Sequence, residues 1–179
     1  MARKGLDAIT LEVLWSRLIA IAEEAATEVR RTSFSTTVRE SKNFALVLLD
    51  PRGHSIAQSS ATMPSFVGAF PLTARHLLKA FPVDAWAPED LVLVNDPWIA
   101  TSHLQDLTSL SPVFYKKNLV AFVGITTHVT DMGGKLRSPE VREIYEEGLQ
   151  LPPCKFLNAG KVNQDILRII RQNVRVPDQ

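Results

Sequence analysis

The sequence predicts an α+β fold: a long N-terminal amphipathic helix, a β-hairpin, and an antiparallel-rich mixed sheet with packing helices. Three observations carry this expectation. Apolar residues recur at three- and four-residue spacing from Asp7 to Arg31, two strand-like segments flank a Pro-Arg-Gly turn near residue 52, and further strand-like runs cluster between residues 90 and 127.

The first helix places Ile9, Val13, Leu14, Leu18, Ile21, Ala25 and Val29 on one stripe, with Glu12, Arg17, Glu23, Glu24, Glu28 and Arg30 filling much of the remainder. The hairpin runs from Phe44 to Asp50 and from His54 to Gln58, because Pro51 presets one turn dihedral and Gly53 supplies another. Helical spacing returns over Leu72 to Phe81 (Leu72, His76, Leu77, Ala80, Phe81) and stops at Pro82, which has no amide hydrogen to continue a helix. Asp90 to Asn95 reads as a short buried strand and Asp96 to Asp106 as a polar loop. Ser109 to Tyr115 and Leu119 to Thr127 follow as strands joined at Lys116-Lys117-Asn118. An irregular charged segment extends to about Pro153, and a last helix spans Asn163 to Asn173.

With 45% hydrophobic and 22% charged residues, no internal repeat and no low-complexity linker, residues 1–179 read as one structural unit. A net charge of +1 is too small an excess to coat a phosphate backbone or an anionic bilayer, so neither nucleic acid nor membrane is expected as a partner. No apolar run approaches a spanning helix, and Met1-Ala2-Arg3-Lys4 leads into a mixed charged helix instead of a signal-peptide core, so a cytoplasmic protein is expected. Cys154 stands alone, so any metal must be held by imidazole and carboxylate.

The chemistry-bearing pattern is His103-Leu-Gln-Asp106 followed by His128-Val-Thr-Asp131, in which two of the four histidines carry an aspartate three residues downstream. A His and an Asp so spaced on a turn can point the same way, and a second His at a strand end completes a mixed nitrogen and oxygen site suited to a divalent transition metal. Two imidazoles and one carboxylate leave coordination positions open for water or substrate. The stretch from Ala80 to Tyr115 adds Asp84, Glu89, Asp90 and Asp96 to Asp106 with no Lys or Arg, a local charge that attracts a cation. Solvated loop carboxylates and hydrogen-bonded structural histidines explain the same residues, and the spacing alone does not decide.

Gly133 and Gly134 allow either a close backbone approach to a ligand or an ordinary turn. Asn95-Asp96-Pro97 reads as a loop organiser. His54 and His76 are expected to be structural, His76 on the apolar face of its helix, and Arg168, Arg171 and Arg175 form a basic end to the last helix. Neither phosphate-binding glycine motif occurs, Ser102 lacks a nucleophile elbow, and Cys154 has no activating neighbour except Lys155.

Five segments in order, Asn95 to Asp106 (NDPWIATSHLQD), Ser111 to Phe114, His128 to Gly134 (HVTDMGG), Glu147 to Pro153 (EGLQLPP) and Asn173 to Pro177, resemble the hydantoinase B/oxoprolinase family. The likeness extends through Arg39-Glu-Ser-Lys-Asn-Phe44 to the first helix, and the chain resembles the N-terminal part of longer family members. The resemblance implies ATP-dependent opening of a cyclic amide such as a hydantoin, 5-oxoproline or a lactam, or the related carboxylation of a ketone. It implies a hydantoinase A-type ATPase partner that binds ATP and activates the substrate, a C-terminal portion of the B component, and a divalent metal, Mn or Zn. Its metal ligands fall on His103, Asp106 and His128, with Asn95, Asp96, Asp131, Gly133, Gly134 and Asn43 as residues around the metal or substrate loop. This chain departs from the family pattern at Ala100-Thr101-Ser102, where Gly-Gly-Thr is usual, at Thr127, where a second His is usual, and at Asn43, where an acid is usual. Those departures fit an alternative, a non-catalytic interaction module that retains the fold.

Overall fold

The structure, a computed structural model, describes residues 5–60, 62–101, 103–135 and 138–178; Ser102 and the leading Met1-Ala2-Arg3-Lys4 lie outside the described residues. In chain order the elements are helices α1 (Ala8–Thr32) and α2 (Thr36–Ser41), strands β1 (Phe44–Leu49) and β2 (Ser55–Gln58), helix α3 (Pro64–Ala80), strands β3 (Leu91–Val94), β4 (Asp106–Tyr115), β5 (Asn118–His128), β6 (Cys154–Asn158) and β7 (Lys161–Val162), and helix α4 (Gln164–Asn173). The strands form one seven-stranded sheet in the order β2-β1-β5-β4-β3-β6-β7, and every pairing among the described residues is antiparallel. The fold is α+β with a long first helix, as the sequence predicts. Among the described residues no helix is long and apolar enough to cross a membrane.

β1 explains how the layers assemble. All six of its residues are buried, because Leu46 and Leu48 pack with Ala22 of α1 on one face while Val47 and Leu49 pack with Phe70, Ala74 and Leu77 of α3 on the other. A strand covered on both sides needs apolar residues at every position, which is the composition Phe-Ala-Leu-Val-Leu-Leu supplies.

α1 starts where the Asp7 side chain accepts a hydrogen bond from the Thr10 amide at 3.0 Å. Of its predicted stripe, Leu18, Ala25 and Val29 are partly buried and Ile9, Val13, Leu14 and Ile21 are exposed, while the buried residues of the helix are Ala22 and Ala26. Its N-terminal half touches the edge strand β2 through Trp15 Nε1, which donates to the Ile56 carbonyl. α3 begins eight residues before the predicted Leu72, with Pro64 in its first turn and Pro71 inside it. Pro71 forfeits one helical hydrogen bond, a loss offset by burying Phe66, Phe70, Thr73, Ala74 and Leu77 along one face. That face excludes His76, which is exposed, correcting its expected place on the apolar side.

Three elements have no counterpart among those predicted from the sequence. α2 is a six-residue helix capped by Ser35, and β6 and β7 form a hairpin whose turn residues Ala159 and Gly160 both have positive φ. The β6 hairpin is tied to β3 by Asp90, whose fully buried carboxylate accepts from the Ala87 and Ala159 amides and from Lys155 Nζ at 2.7 Å. Burial opposes ionisation of Asp90, but Lys155 and the two amides outweigh it and hold the carboxyl below the usual carboxylate range.

A carboxylate depressed in the folded state stabilises the fold at pH values above its unfolded pKa of about 4, and that stability disappears as pH falls through the folded value. Thermal unfolding is therefore expected at constant temperature down to about pH 5 and at falling temperature below it. Asp90→Asn should flatten this acid limb in a series of melts, and an unchanged limb would remove Asp90 as its source.

Candidate metal centre

The β4–β5 hairpin carries the candidate site at its open end. Asp106 is the first residue of β4 and His128 the last of β5, three residues before and one residue after the predicted strand limits, and the register pairs them directly. His128 N donates to the Asn43 carbonyl at 3.1 Å, extending the β1–β5 ladder by one position. Directly opposed residues of antiparallel neighbours project from one face, so Asn43, His128 and Asp106 form a row across three strands. The next row inward holds Thr126 and Thr108, whose hydroxyls hydrogen-bond each other at 2.8 Å. His103 joins from the preceding loop, where a turn closed by Asp106 N donating to the His103 carbonyl at 3.1 Å brings it back over β4.

The three donors converge. His128 Nδ1 lies 2.9 Å from Asp106 Oδ1, His103 Nδ1 lies 3.5 Å from Asp106 Oδ2, and one ligand atom from each residue falls within 4.8 Å of the others. The imidazoles meet edge to face with centroids 5.2 Å apart. Asp106 is 0% exposed and His128 5%, whereas His103 sits at the cavity mouth.

Three buried atoms at this end of the sheet, Asp106 Oδ2, His103 Nδ1 and Asn43 Oδ1, have no hydrogen-bond partner among the described residues. Asp106 Oδ2 and His103 Nδ1 face each other at 3.5 Å without a hydrogen bond. A buried carboxylate oxygen, a ring nitrogen and an amide oxygen that make none are costly in a protein interior, and a divalent cation satisfies all three kinds at once. The residues present thus fit the group. Beside them a cavity of about 140 Å³ is lined by His103, Gln105, His128, Lys135, Ser138, Val141 and Glu147.

The other candidate residues are engaged elsewhere. Asn95 is fully buried and satisfied, donating to the Leu104 and Leu149 carbonyls and accepting from Leu151 N at 2.6 Å, so it braces the loop that carries His103. Asp96 accepts from Trp98 N at 3.0 Å and shapes the loop after β3. Asp131 accepts from Gly133 N and from the backbone and guanidinium of Arg175. Burial opposes its charge, yet the Arg175 and Gly133 amides and the guanidinium prevail and hold its carboxyl low.

Arg175 lies beyond α4 and does not belong to its basic end. Gly133 and Gly134, both at positive φ, allow close backbone packing: a Cβ on Gly133 would strike the Asn173 carbonyl, and one on Gly134 the Glu146–Gly148 backbone. Burial pushes the Cys154 thiol above its usual range, and the thiol points its hydrogen at the Leu93 carbonyl. The sequence reading missed Glu147, which accepts from Leu104 N at 3.1 Å, and Gln105, which donates to the Glu147 carbonyl. Only the position of Glu147 in a recognisable motif hinted at a role.

The hydantoinase B/oxoprolinase family pattern matches residues 7–179. The chain is 31% identical over 173 residues to caprolactamase subunit beta of Pseudomonas jessenii, covering 95% of this chain and 29% of that protein. The crystal structure of the ATP-dependent caprolactamase from Pseudomonas jessenii superposes with a TM-score of 0.84 at 30% identity, over 96% of this chain and 30% of that one. A nucleotide-free acetone carboxylase shares the fold, with a TM-score of 0.82 at 23% identity over 96% of this chain and 23% of that one. In each comparison the chain spans less than a third of the relative's length. From residue 7 onward its sequence pattern, sheet and architecture are those of these proteins, and the chain belongs to the hydantoinase B/oxoprolinase family.

Proposed function

We propose that this chain is the metal-bearing N-terminal part of a hydantoinase B-type component that opens a small cyclic amide, a hydantoin, 5-oxoproline or lactam ring, at the expense of ATP. The observation that carries this reading is the convergence of His103, Asp106 and His128 within 4.8 Å around a buried carboxylate oxygen that has no hydrogen-bond partner among the described residues. His103, Asp106 and His128 would hold the ion, Mn or Zn, and Asn43 Oδ1 would offer it a neutral oxygen. When bound, such an ion supplies Lewis-acid polarisation of a carbonyl or phosphoryl oxygen and lowers the pKa of water.

The chain's own residues do the rest. Asp106 sets the two imidazoles relative to each other, Thr108 and Thr126 close the floor of the site by bonding each other, and the half-buried rim admits ligand from the His103 side. A cavity of about 140 Å³ falls well below the roughly 300–1,000 Å³ typical of drug-sized ligand sites. That size supports a small ring as substrate and further walls supplied by the rest of a B component. The absence of a phosphate-cradling loop from the sequence supports an ATP-binding partner of the hydantoinase A type.

The experiment mixes the chain with a hydantoinase A-type ATPase and the C-terminal part of a B component and measures ring opening and ATP consumption. Turnover is expected only in the complete mixture and only with divalent metal; ring opening by this chain alone would overturn the assignment. Purified protein is further expected to retain about one Mn or Zn per chain after dialysis. Asn43→Asp should tighten that binding by adding a charged oxygen at the end of the row. Equal affinity in both proteins would remove Asn43 from the ligand set.

A further inference from the structure

Glu147 belongs to the Glu-Gly-Leu-Gln-Leu-Pro-Pro stretch and has no part in the donor set, yet, beside Asn95 on the Leu104 carbonyl and Val129 N on the Gln105 carbonyl, it is the carboxylate that holds the His103–Asp106 turn from a distant segment. Its carboxylate oxygen Oε2 accepts from Leu104 N at 3.1 Å, between the two donor residues in sequence, and its backbone carbonyl accepts from Gln105 Nε2 at 3.2 Å. Leu104 is itself 0% exposed, so the turn is pinned from inside by its side chain and from above by Glu147.

Glu147 is held in turn by rungs on either side: Lys135 N donates to the Glu146 carbonyl and Leu149 N to the Met132 carbonyl, both at 2.7 Å. Gly134 and Gly148 make that interlock possible, since a Cβ on either would run into the opposite strand of backbone. Glu147 lines the same cavity as His103 and His128 but falls outside the group whose ligand atoms lie within 4.8 Å of one another. It stands too far out to complete that cluster and close enough to fix its shape.

We propose that Glu147 is a positioning residue for the metal centre, holding the His103-Leu104-Gln105-Asp106 turn in the conformation that lets both imidazoles and the carboxylate share one ion. This rests on the metal-centre reading above. A flexible loop would have to be ordered each time metal binds, whereas a turn already pinned by an acceptor at Leu104 N keeps that cost out of the binding equilibrium.

The test titrates Zn²⁺ into the full chain and into Glu147→Ala and Glu147→Gln by calorimetry, with amide hydrogen exchange measured on the metal-free proteins. Glu147→Ala is expected to weaken Zn²⁺ binding by roughly 10–100-fold. Glu147→Gln, which keeps an acceptor oxygen for Leu104 N, should restore most of the affinity. Exchange in Glu147→Ala should quicken at Leu104 to Asp106 while the sheet amides of β1 and β5 stay protected.

Unchanged Zn²⁺ affinity in Glu147→Ala overturns the proposal and leaves the metal centre standing. A Gln variant as weak as the Ala variant also overturns it, because charge and not acceptor position would then be what matters. If the unsubstituted chain takes up no Zn²⁺, the metal-centre reading fails by itself. Exchange then decides for Glu147: local quickening at 104–106 upholds its hold on the turn, and an unaltered or uniformly altered pattern refutes it.

Discussion

Asp106→Asn is expected to abolish divalent-metal binding, raising the dissociation constant for Zn²⁺ or Mn²⁺ beyond the roughly 10–100-fold typical of outer supports. Asp106 is the only carboxylate of the three-residue donor group, is 0% exposed, and contacts both imidazoles. The amide retains an oxygen able to accept from His128 Nδ1 but removes the charge that a divalent ion requires.

The effect on the metal-free protein runs the other way. A buried carboxylate with one oxygen that accepts no hydrogen bond among the described residues, only facing His103 Nδ1 at 3.5 Å, is costly, and replacing it with a neutral group of the same shape relieves that cost. The melting temperature of metal-free Asp106→Asn is therefore expected to equal or exceed that of the unsubstituted chain. Equilibrium dialysis paired with thermal melts checks both parts. A clear drop in melting temperature, with no metal bound by either protein, would mean that Asp106 serves only as a structural acceptor for the histidines.

Gly124→Ala should cost about 3 kcal/mol of folding stability, the upper part of the range for overpacked cores. Gly124 lies in the middle of β5, paired with Val47 on one side and Leu110 on the other, and the Phe70 ring of α3 stands directly over it. A Cβ there would overlap the ring. Phe70 is 1% exposed and belongs to the cluster formed by Leu77, Trp86, Val92 and Phe122, so it has no empty space to move into. For a chain of this size the loss corresponds to a fall of roughly 6–12 °C in melting temperature. Adding Phe70→Leu should recover part of it by making room for the methyl group. A change within about 0.5 kcal/mol for Gly124→Ala would show that α3 does not press on the sheet at this point.

The elements readable from the sequence are those whose residues announce their surroundings locally. The stripe of α1, the Pro51 to Gly53 turn and the continuous apolar run of β1 needed no tertiary information. α2 has too few residues to show a period, and β6 mixes Cys, Lys, Phe, Leu and Asn without alternation, so its strand state follows from pairing with β3. The true start of α3 is hidden by Pro71, a helix breaker inside the element that a strong buried face overrides; Pro64 at the first helical position costs nothing. On α1 the stripe counts Ile9, Val13, Leu14 and Ile21, which are exposed, and leaves out Ala22 and Ala26, which are buried, since periodicity marks which residues could be buried and not where the sheet comes close enough to admit only a small side chain.

For the candidate site, the paired His-x-x-Asp motifs singled out His103, Asp106 and His128, and they also singled out Asp131 on equal grounds. By itself, then, the sequence determined the fold class, the family likeness and the inventory of donors. Tertiary structure decided which donors meet: the β4–β5 register sets Asp106 opposite His128, while Arg175 draws Asp131 away into an ion pair. The reason is physical. Side-chain type travels with each residue, whereas the side of a sheet on which a residue projects, and the partner it finds there, depend on a strand register summed over the whole hairpin.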